Sequence, residues 1–382
     1  MVRLKYFSYG LIALGALLYI VGWFLGGEQA LTLVEPVATP TAVSVVTQET
    51  TTATATPPPT PAAAPSSAPA TSSTPAVKKP VKPAPVTASP VPAQPVITSA
   101  EAAAAIDAGL TAAATALRAS LVNIICYAPA GGGIRSISGS GVIIDPKGVI
   151  LTNAHIAQYY LFRDKSISCR VRTGSPAQDA YAAALIYLPN AWVENNADVL
   201  TKTNPTGTGE YDYALLAVTK SLTSAPLPTN FPFIPLATVP LKKSAPVVIG
   251  TYGAQFLEYS QIQSSLFPTI VFGSVKEIYT FAKNTIDVFA LGGSAAAQEG
   301  SSGGGVVNAF GELAGTITTS TIEGATNTRE LSAITASYIR AKYASETGEP
   351  LDTLFASPTA SSIAAFAPKA AELEATLLSH LP

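Results

Sequence analysis

The sequence predicts an all-β core of two antiparallel β-barrels, preceded by a transmembrane helix and a disordered Pro-rich linker and flanked by shorter helices. Three observations carry this expectation. From Leu121 to the run beginning at Asp212, short segments rich in Val, Ile, Leu and Tyr alternate with Gly- or Pro-containing turns, and no helical period runs among them. A second set of such segments extends from Ala245 to Thr319, beyond a Pro-, Thr- and Leu-rich connector at residues 222–240. Helical spacing of apolar residues is confined to the stretches before and after these two sets.

Composition narrows the function classes. The chain has 382 residues with 22 basic and 24 acidic side chains, a net charge of −2. That length holds one large or two small domains plus tails. A balance so near zero, without a basic cluster, gives no support to a nucleic-acid partner, and none is expected. Cys126 and Cys169 are the only cysteines, which rules out a disulfide-dense scaffold and a Cys-rich zinc site. They leave two alternatives, a single bridge or two buried thiols. With His155 and His380 the only histidines, a His-based metal site is not expected, and no cofactor is expected either.

Residues 1–27 read as a cytoplasmic N-terminus and membrane anchor. Arg3 and Lys5 precede an apolar run of roughly twenty residues, Tyr6 to Gly27, long enough to cross the hydrocarbon core as a helix. A cleaved signal peptide is the alternative, but no small-x-small cleavage site follows. Positive charge ahead of the span places the remainder of the chain outside the cytoplasm. Residues 28–97, dominated by Pro, Thr, Ala and Ser, cannot build a core and are expected to form a disordered tether. About sixty such residues reach from roughly 45 Å as a coil to about 190 Å as extended polyproline II.

Residues 98–120 form the expected lead-in helix. Thr98 and Glu101 have capping-box spacing, and Ile106, Leu110, Ala113 and Leu117 share one face. The first β-set then comprises Leu121–Tyr127, Val142–Ile144, Gly148–Leu151, Ser166–Arg172, Ala182–Leu188 and the run from Asp212, with a polar insertion at 190–210. The second comprises Ala245–Gly253, Thr269–Val275, Thr285–Ala290, Gly305–Val307 and Glu312–Thr319. Ala336 to Ser345 and Ser361 to Leu378 read as helices, the latter within a tail at 346–382.

Chemistry concentrates in three places. Glu299-Gly300-Ser301-Ser302-Gly303-Gly304-Gly305 is a glycine-rich turn entering an apolar strand. Such a turn exposes a hydroxyl, and the N–H groups of Gly300 and Ser302 can point at one oxygen, as an oxyanion hole requires. A plain Gly/Ser hairpin loop is the alternative. Upstream, His155 ends the β-rich run Gly148–Ala154, and Asp212 opens the apolar run Tyr213–Val218.

The chain order His, Asp, Ser in these contexts resembles the chymotrypsin-fold, trypsin-like serine proteases, most closely the bacterial HtrA-type branch. The run Ser138-Gly139-Ser140-Gly141 ahead of the hairpin that leads to His155 also reads as in that branch. The resemblance covers about Leu121 to Ile339, and no PDZ module is expected in the short remainder. It implies a protease domain at 121–345, with His155 as general base and then acid, Asp212 orienting its ring, and Ser302 as nucleophile. Ser301 is the competing serine, and Asp145, Asp164, Asp179, Asp198 and Asp287 rival Asp212 by residue type alone. The resemblance also places Cys126 and Cys169 on neighbouring strands, where they form a disulfide or remain thiols. It assigns the floor of the primary pocket to Ala296 and its walls to Thr318, Thr319 and Ser320. With no acid at the floor, small or medium apolar residues are the expected side chains at the cleaved position. Two departures stand out: Ser301 replaces the acid that captures a new N-terminus in digestive members, and Gly305 replaces a proline, which loosens the turn.

The expected protein is therefore a membrane-anchored, extracytoplasmic serine endopeptidase acting on polypeptides, held at the cell membrane by a single span. Its rivals are a catalytically inactive protease-fold binding module and a surface stalk protein with a structural β-domain. The sequence sets no oligomeric state.

Overall fold

The computed structural model describes residues 99–129, 133–202, 207–320 and 324–381. The expected membrane span at 1–27 and linker at 28–97 lie outside the described residues. Among the described residues no helix is long and apolar enough to cross a membrane.

Helix α1 (Ser99–Ser120) leads directly into the first β-set. Its strands are β1 (Leu121–Tyr127), β2 (Ile137–Asp145), β3 (Val149–Thr152), β4 (Ser168–Thr173), β5 (Gln178–Tyr187) and β6 (Ala214–Ser221). They close into an antiparallel barrel in the order β1-β2-β3-β6-β5-β4. Closure suits strands that are apolar on both faces: β1 and β3 are buried almost throughout. Cys126 lies opposite Cys169 across the β1–β4 ladder, and the two form a disulfide with Cα atoms 4.0 Å apart.

The helix-free reading of this half needs correction. The short helix α2 (Ala154–Ala157) continues into a 3₁₀ segment (Gln158–Lys165), and the polar insertion contains α3 (Asn190–Asn196). In α3, one adjacent apolar pair, Trp192 and Val193, is buried and anchors an otherwise polar segment. Two neighbouring apolar residues give no periodic signal.

The second set is an open sheet, not the closed barrel expected. Its strands are β7 (Pro246–Thr251), β8 (Thr269–Ser274), β9 (Glu277–Tyr279), β10 (Val288–Ala290), β11 (Gly305–Val307), β12 (Leu313–Ser320) and β13 (Leu331–Thr335). Their order is β8-β7-β11-β12-β13-β10-β9, so β8 and β9 form the edges. Helix α4 (Tyr259–Ser264) lies between β7 and β8 in sequence. The gap lies between β8 and β9, neighbours in sequence at opposite edges of the sheet. The buried carboxylate of Asp287 accepts from the hydroxyls of Thr280 and Thr285 and from the N–H of Phe281, folding 280–287 into a turn. The strand expected from Thr285 is thereby shortened to β10, which still pairs with both β13 and β9.

Helices α5 (Ala336–Thr347), α6 (Leu351–Ala356) and α7 (Thr359–Leu378) follow, with α7 packed on β5 of the first barrel. On α1, Leu110, Ala113 and Leu117 are buried as expected, but Ile106 is 41% exposed. The helix meets the body of the protein only from Gly109 onward, where a Cβ would fall 2.2 Å from the carbonyl oxygen of Ala309. Leu117 occupies a slot between the two sheets. Ideal Cβ atoms on Gly250 and Gly305 would approach its side chain to 2.7 and 3.1 Å. Gly305, expected to loosen the nucleophile turn, instead provides space for that leucine.

Candidate active site

His155 follows β3 on the first turn of α2, and Asp212 immediately precedes Tyr213 and β6, so pairing of β3 with β6 brings the two together. The His155 ring Nδ1 lies 2.8 Å from Asp212 Oδ2, and the His155 backbone N–H donates to Asp212 Oδ1 at 3.0 Å. Thr318, expected in a pocket wall, donates its hydroxyl to Asp212 Oδ2 at 2.7 Å. Asn153 donates its side-chain amide to the Asp212 carbonyl at 2.7 Å. The rival Asp287 is committed to its own turn, Asp145 caps the β2–β3 hairpin through the Lys147 N–H, and Asp179 pairs with Arg170 and Arg172.

The loop entering Asp212 is tightly specified. Gly209 has φ +82 and Tyr211 φ +59, left-handed backbone that a tyrosine enters at a cost. The Tyr211 N–H donates to the hydroxyl of Tyr338 on α5, and the Lys342 ammonium sits 4.9 Å over the Tyr211 ring. Gly209 packs against Thr318, where a Cβ would lie 2.7 Å from the Thr318 methyl carbon.

Burial alone would raise the Asp212 carboxyl. The charge and hydrogen bonds of His155, together with the Thr318 hydroxyl, outweigh it and hold the group below the ordinary carboxylate value. Asp212 is therefore an anion at neutral pH.

Ser302 sits at the centre of the glycine turn, half-buried, with its backbone tied to the first barrel: the Ser140 N–H donates to its carbonyl at 2.8 Å. No hydrogen bond joins Ser302 Oγ to His155 among the described residues. The neighbouring serine is placed differently. Ser301 is 1% exposed, and its Oγ is buried with no hydrogen-bond partner among the described residues.

The peptide groups of the turn sort themselves. Ser301 N–H donates to Gln298 O, Gly303 N–H to Ile317 O and Gly304 N–H to Ser301 O. Glu299 O accepts from Ala254 N–H, Gly300 O from the Ser140 hydroxyl, and Ser302 O from Ser140 N–H. From Gly300 to Gly304, only the N–H groups of Gly300 and Ser302 have no protein acceptor among the described residues. Since a trans peptide points its N–H opposite its carbonyl, pinning Glu299 O on Ala254 turns the Gly300 N–H away from that segment. These are the two donors expected from the sequence.

Around the expected primary pocket, Ala296 and Ala297 are fully buried in the second core with Leu291, Val306 and Leu331. Thr319 and Ser320 are placed by their backbone in β12, opposite Ser332 and Leu331 of β13. Arg329, which sequence reading did not single out, is buried and donates to Ala297 O at 2.8 Å, to Gly324 O and to Gln255 Oε1. It ties the segment next to Ala296 to two other loops. Nothing local in the sequence marks Arg329, Thr318 or Asn153 for these tasks, because each acts on a residue far along the chain or through its backbone.

Residues 139–315 match the family model of the trypsin-like peptidase domain. Among solved structures, the chain is similar to the Rv3671c protease of M. tuberculosis. With its active form it shares 21% identity over 72% of this chain and 96% of that one, at a TM-score of 0.39. With the inactive form it shares 18% over 62% and 93%, at a TM-score of 0.38. No curated protein matches the chain. The family match supports the resemblance to chymotrypsin-fold serine proteases, and its span includes His155, Asp212 and Ser302.

The Asp212 environment yields a pH signature. A carboxylate whose folded pKa lies below its unfolded value of about 3.9 stabilises the fold above that pH and loses the contribution as pH falls through the folded value. Thr318→Val removes one hydrogen bond to the anion and is expected to cost about 1.5–3 kcal/mol at pH 7. Denaturant melts across pH should show this difference shrinking as pH falls below the ordinary carboxylate range and Asp212 protonates. A difference that persists undiminished once the folded-state carboxyl of Asp212 is protonated, followed by NMR, would mean that the bond to the charged carboxylate is not what Thr318 supplies.

Proposed function

We propose that the protein is a serine endopeptidase that cleaves polypeptides through Ser302, His155 and Asp212. The observation that carries this reading is the turn from Gly300 to Gly304, in which only the Gly300 and Ser302 N–H groups lack an acceptor among the described residues, together with a histidine whose Nδ1 is bound to a buried carboxylate. Two such donors aimed at one oxygen stabilise a developing oxyanion far better than a substrate carbonyl, and so lower the barrier rather than merely binding the substrate.

The steps follow from these positions. Asp212 holds the Nδ1 proton, leaving Nε2 as the base that takes the hydroxyl proton as Ser302 Oγ bonds to the scissile carbonyl carbon. The carbonyl oxygen, now an anion, is received by the N–H groups of Gly300 and Ser302. His155 then passes its proton to the departing amine, and the C–N bond breaks to leave an acyl-serine. Water, deprotonated by His155, releases the acid and restores Ser302. The lack of a Ser302–His155 hydrogen bond without substrate is compatible with this sequence, since such contacts commonly tighten only when substrate binds. The burial of Ser301 favours Ser302 as the nucleophile.

Labelling with a fluorophosphonate tests the assignment directly. Wild type should be modified at one serine, Ser301→Ala should retain most of the labelling, and Ser302→Ala should lose it. Labelling of Ser302→Ala at the wild-type level would overturn the assignment.

The location proposed is the outer side of a cell membrane, with residues 6–27 as anchor and 28–97 as tether. Arg3 and Lys5 ahead of the apolar run favour it. The Cys126–Cys169 disulfide favours an oxidising compartment as well. Protease added to intact cells, or to spheroplasts where an outer layer shields the protein, should cut within the tether. Protection there combined with cleavage after lysis would reverse the orientation.

For specificity we propose small or medium apolar residues such as Ala, Val or Leu at the cleaved position. Ala296 and Ala297 bring methyl groups and no carboxylate to this region, so a Lys or Arg side chain would be desolvated without compensation. A peptide library should return that preference, and selection of Lys or Arg would refute it.

A further inference from the structure

The run Ser138-Gly139-Ser140-Gly141 takes no part in the chemistry above, yet Ser140 reaches the Ser302 turn through both its hydroxyl and its backbone N–H. It is fully buried on β2. Its hydroxyl donates to Gly300 O at 2.7 Å and accepts from the Tyr252 N–H at 2.8 Å. Its N–H donates to Ser302 O at 2.8 Å, and its carbonyl accepts from the Thr152 hydroxyl at 2.7 Å. The packing is close: a Cβ on Gly303 would lie 2.0 Å from Ser140 O, and one on Gly139 would lie 2.2 Å from Ile156 Cδ1.

Resting on the serine-protease reading, we propose that Ser140 is the positioning residue that keeps the oxyanion donors aimed. Gly300 sits at φ +87, where a side chain would resist and glycine does not, so the orientation of its peptide groups is set by their hydrogen bonds. The plane carrying its N–H is fixed by Ala254 at Glu299 O, and the plane after it is fixed by the Ser140 hydroxyl at Gly300 O. Ser140 then holds the carbonyl of Ser302, the second donor residue, through its own N–H. The residue is itself anchored in the first barrel, opposite Asn123 on β1 and bonded to Thr152 at the end of β3, one residue before Asn153 and two before Ala154. Without the hydroxyl, Gly300 O and the Tyr252 N–H both lose a buried partner, and the peptide between Gly300 and Ser301 keeps only the bond of its N–H to Gln298 O at 3.1 Å. With Ser301 in the turn and no carboxylate at that position to take up an ion pair, this cross-sheet hydroxyl holds the carbonyl end of that peptide.

Ser140→Ala tests the role. Steady-state kinetics on a peptide substrate cleaved by the wild type should show kcat reduced about 10- to 100-fold with KM within about twofold, since the loss falls on transition-state donors. The inhibition constant of a peptidyl trifluoromethyl ketone, which places an oxyanion in the same site, should weaken in proportion to kcat/KM. Ser138→Ala, whose hydroxyl accepts from the Asn123 amide and has no bond to the Ser302 turn among the described residues, should leave both unchanged. A folded Ser140→Ala protein with wild-type kcat and ketone affinity would overturn the proposal, as would a rise in KM at constant kcat. Should Ser140→Ala fail to fold, Ser140→Cys keeps the volume with a weaker donor and is expected to lower kcat at least several-fold at unchanged KM; wild-type kcat in that variant would overturn the proposal equally. Failure of the wild type itself to turn over peptides or react with a fluorophosphonate would instead sink the serine-protease reading, and this role with it.

Discussion

The constraint on which the rest of this structure depends is that the turn from Gly300 to Gly304 must satisfy its backbone while two of its N–H groups, those of Gly300 and Ser302, have no acceptor among the described residues. Buried peptide groups are costly to leave without partners, so a turn of this kind has to be closed from outside. Here the partners come from both halves of the protein: Ser140 from the first barrel, Ala254 after β7, and Ile317 on β12. Close approach is possible only because the turn is nearly bare of side chains. A Cβ at Gly304 would fall 2.6 Å from Gly250 O, and Gly300 and Gly303 both adopt left-handed backbone. The glycines serve the contact between the two sheets as much as the turn itself.

Helix α1 extends the same logic. Leu117 fills the space created by Gly250 and Gly305, the latter on the strand that follows Ser302. A proline at Gly305 would stiffen the turn but bring atoms into the positions of Val142, Leu313 and Leu117, to which even a lone Cβ would approach within 2.8 to 3.1 Å. Rigidity is obtained by packing instead of by a restricted dihedral angle. The helix that follows the expected linker is thereby part of the support for the active-site turn, and its first exposed turns only bring the chain to that slot.

What was legible in the sequence is what is local. The strands of the first barrel, the helix over α1, and the histidine, aspartate and serine contexts each declare themselves within ten residues or fewer. The resemblance placed Cys126 and Cys169 on neighbouring strands but left bridge or thiols open, and the folded chain has the bridge. What escaped is long-range. Thr318 reads as a strand residue like its neighbours, and only the folded chain sets its hydroxyl on a carboxylate 106 positions earlier. The second sheet stays open between β8 and β9, and at Asp287 a carboxylate whose hydrogen bonds to Thr280 and Thr285 turn the chain shortens the strand that alternation alone implied. Ile106 continues the apolar stripe of α1, but periodicity cannot tell where a helix runs out of surface to cover.

Asp212 shows how charge reinforces this geometry. A carboxylate this buried is tolerable only when its lone pairs are met, and here they are met from both sheets: by the His155 ring and backbone N–H on the first barrel side, and by Thr318 from β12. Because the carboxylate is ionised and Oδ2 faces Nδ1, the proton of a neutral imidazole sits on Nδ1, and the Nε2 lone pair is left pointing away from the aspartate. The tautomer that a general base requires is thus fixed by the same contacts that stabilise a buried anion. The Gly300 and Ser302 N–H groups are placed by contacts that satisfy a buried turn. In both places the arrangement follows from requirements of folding, and the proposed chemistry would use the groups that folding leaves without a partner among the described residues.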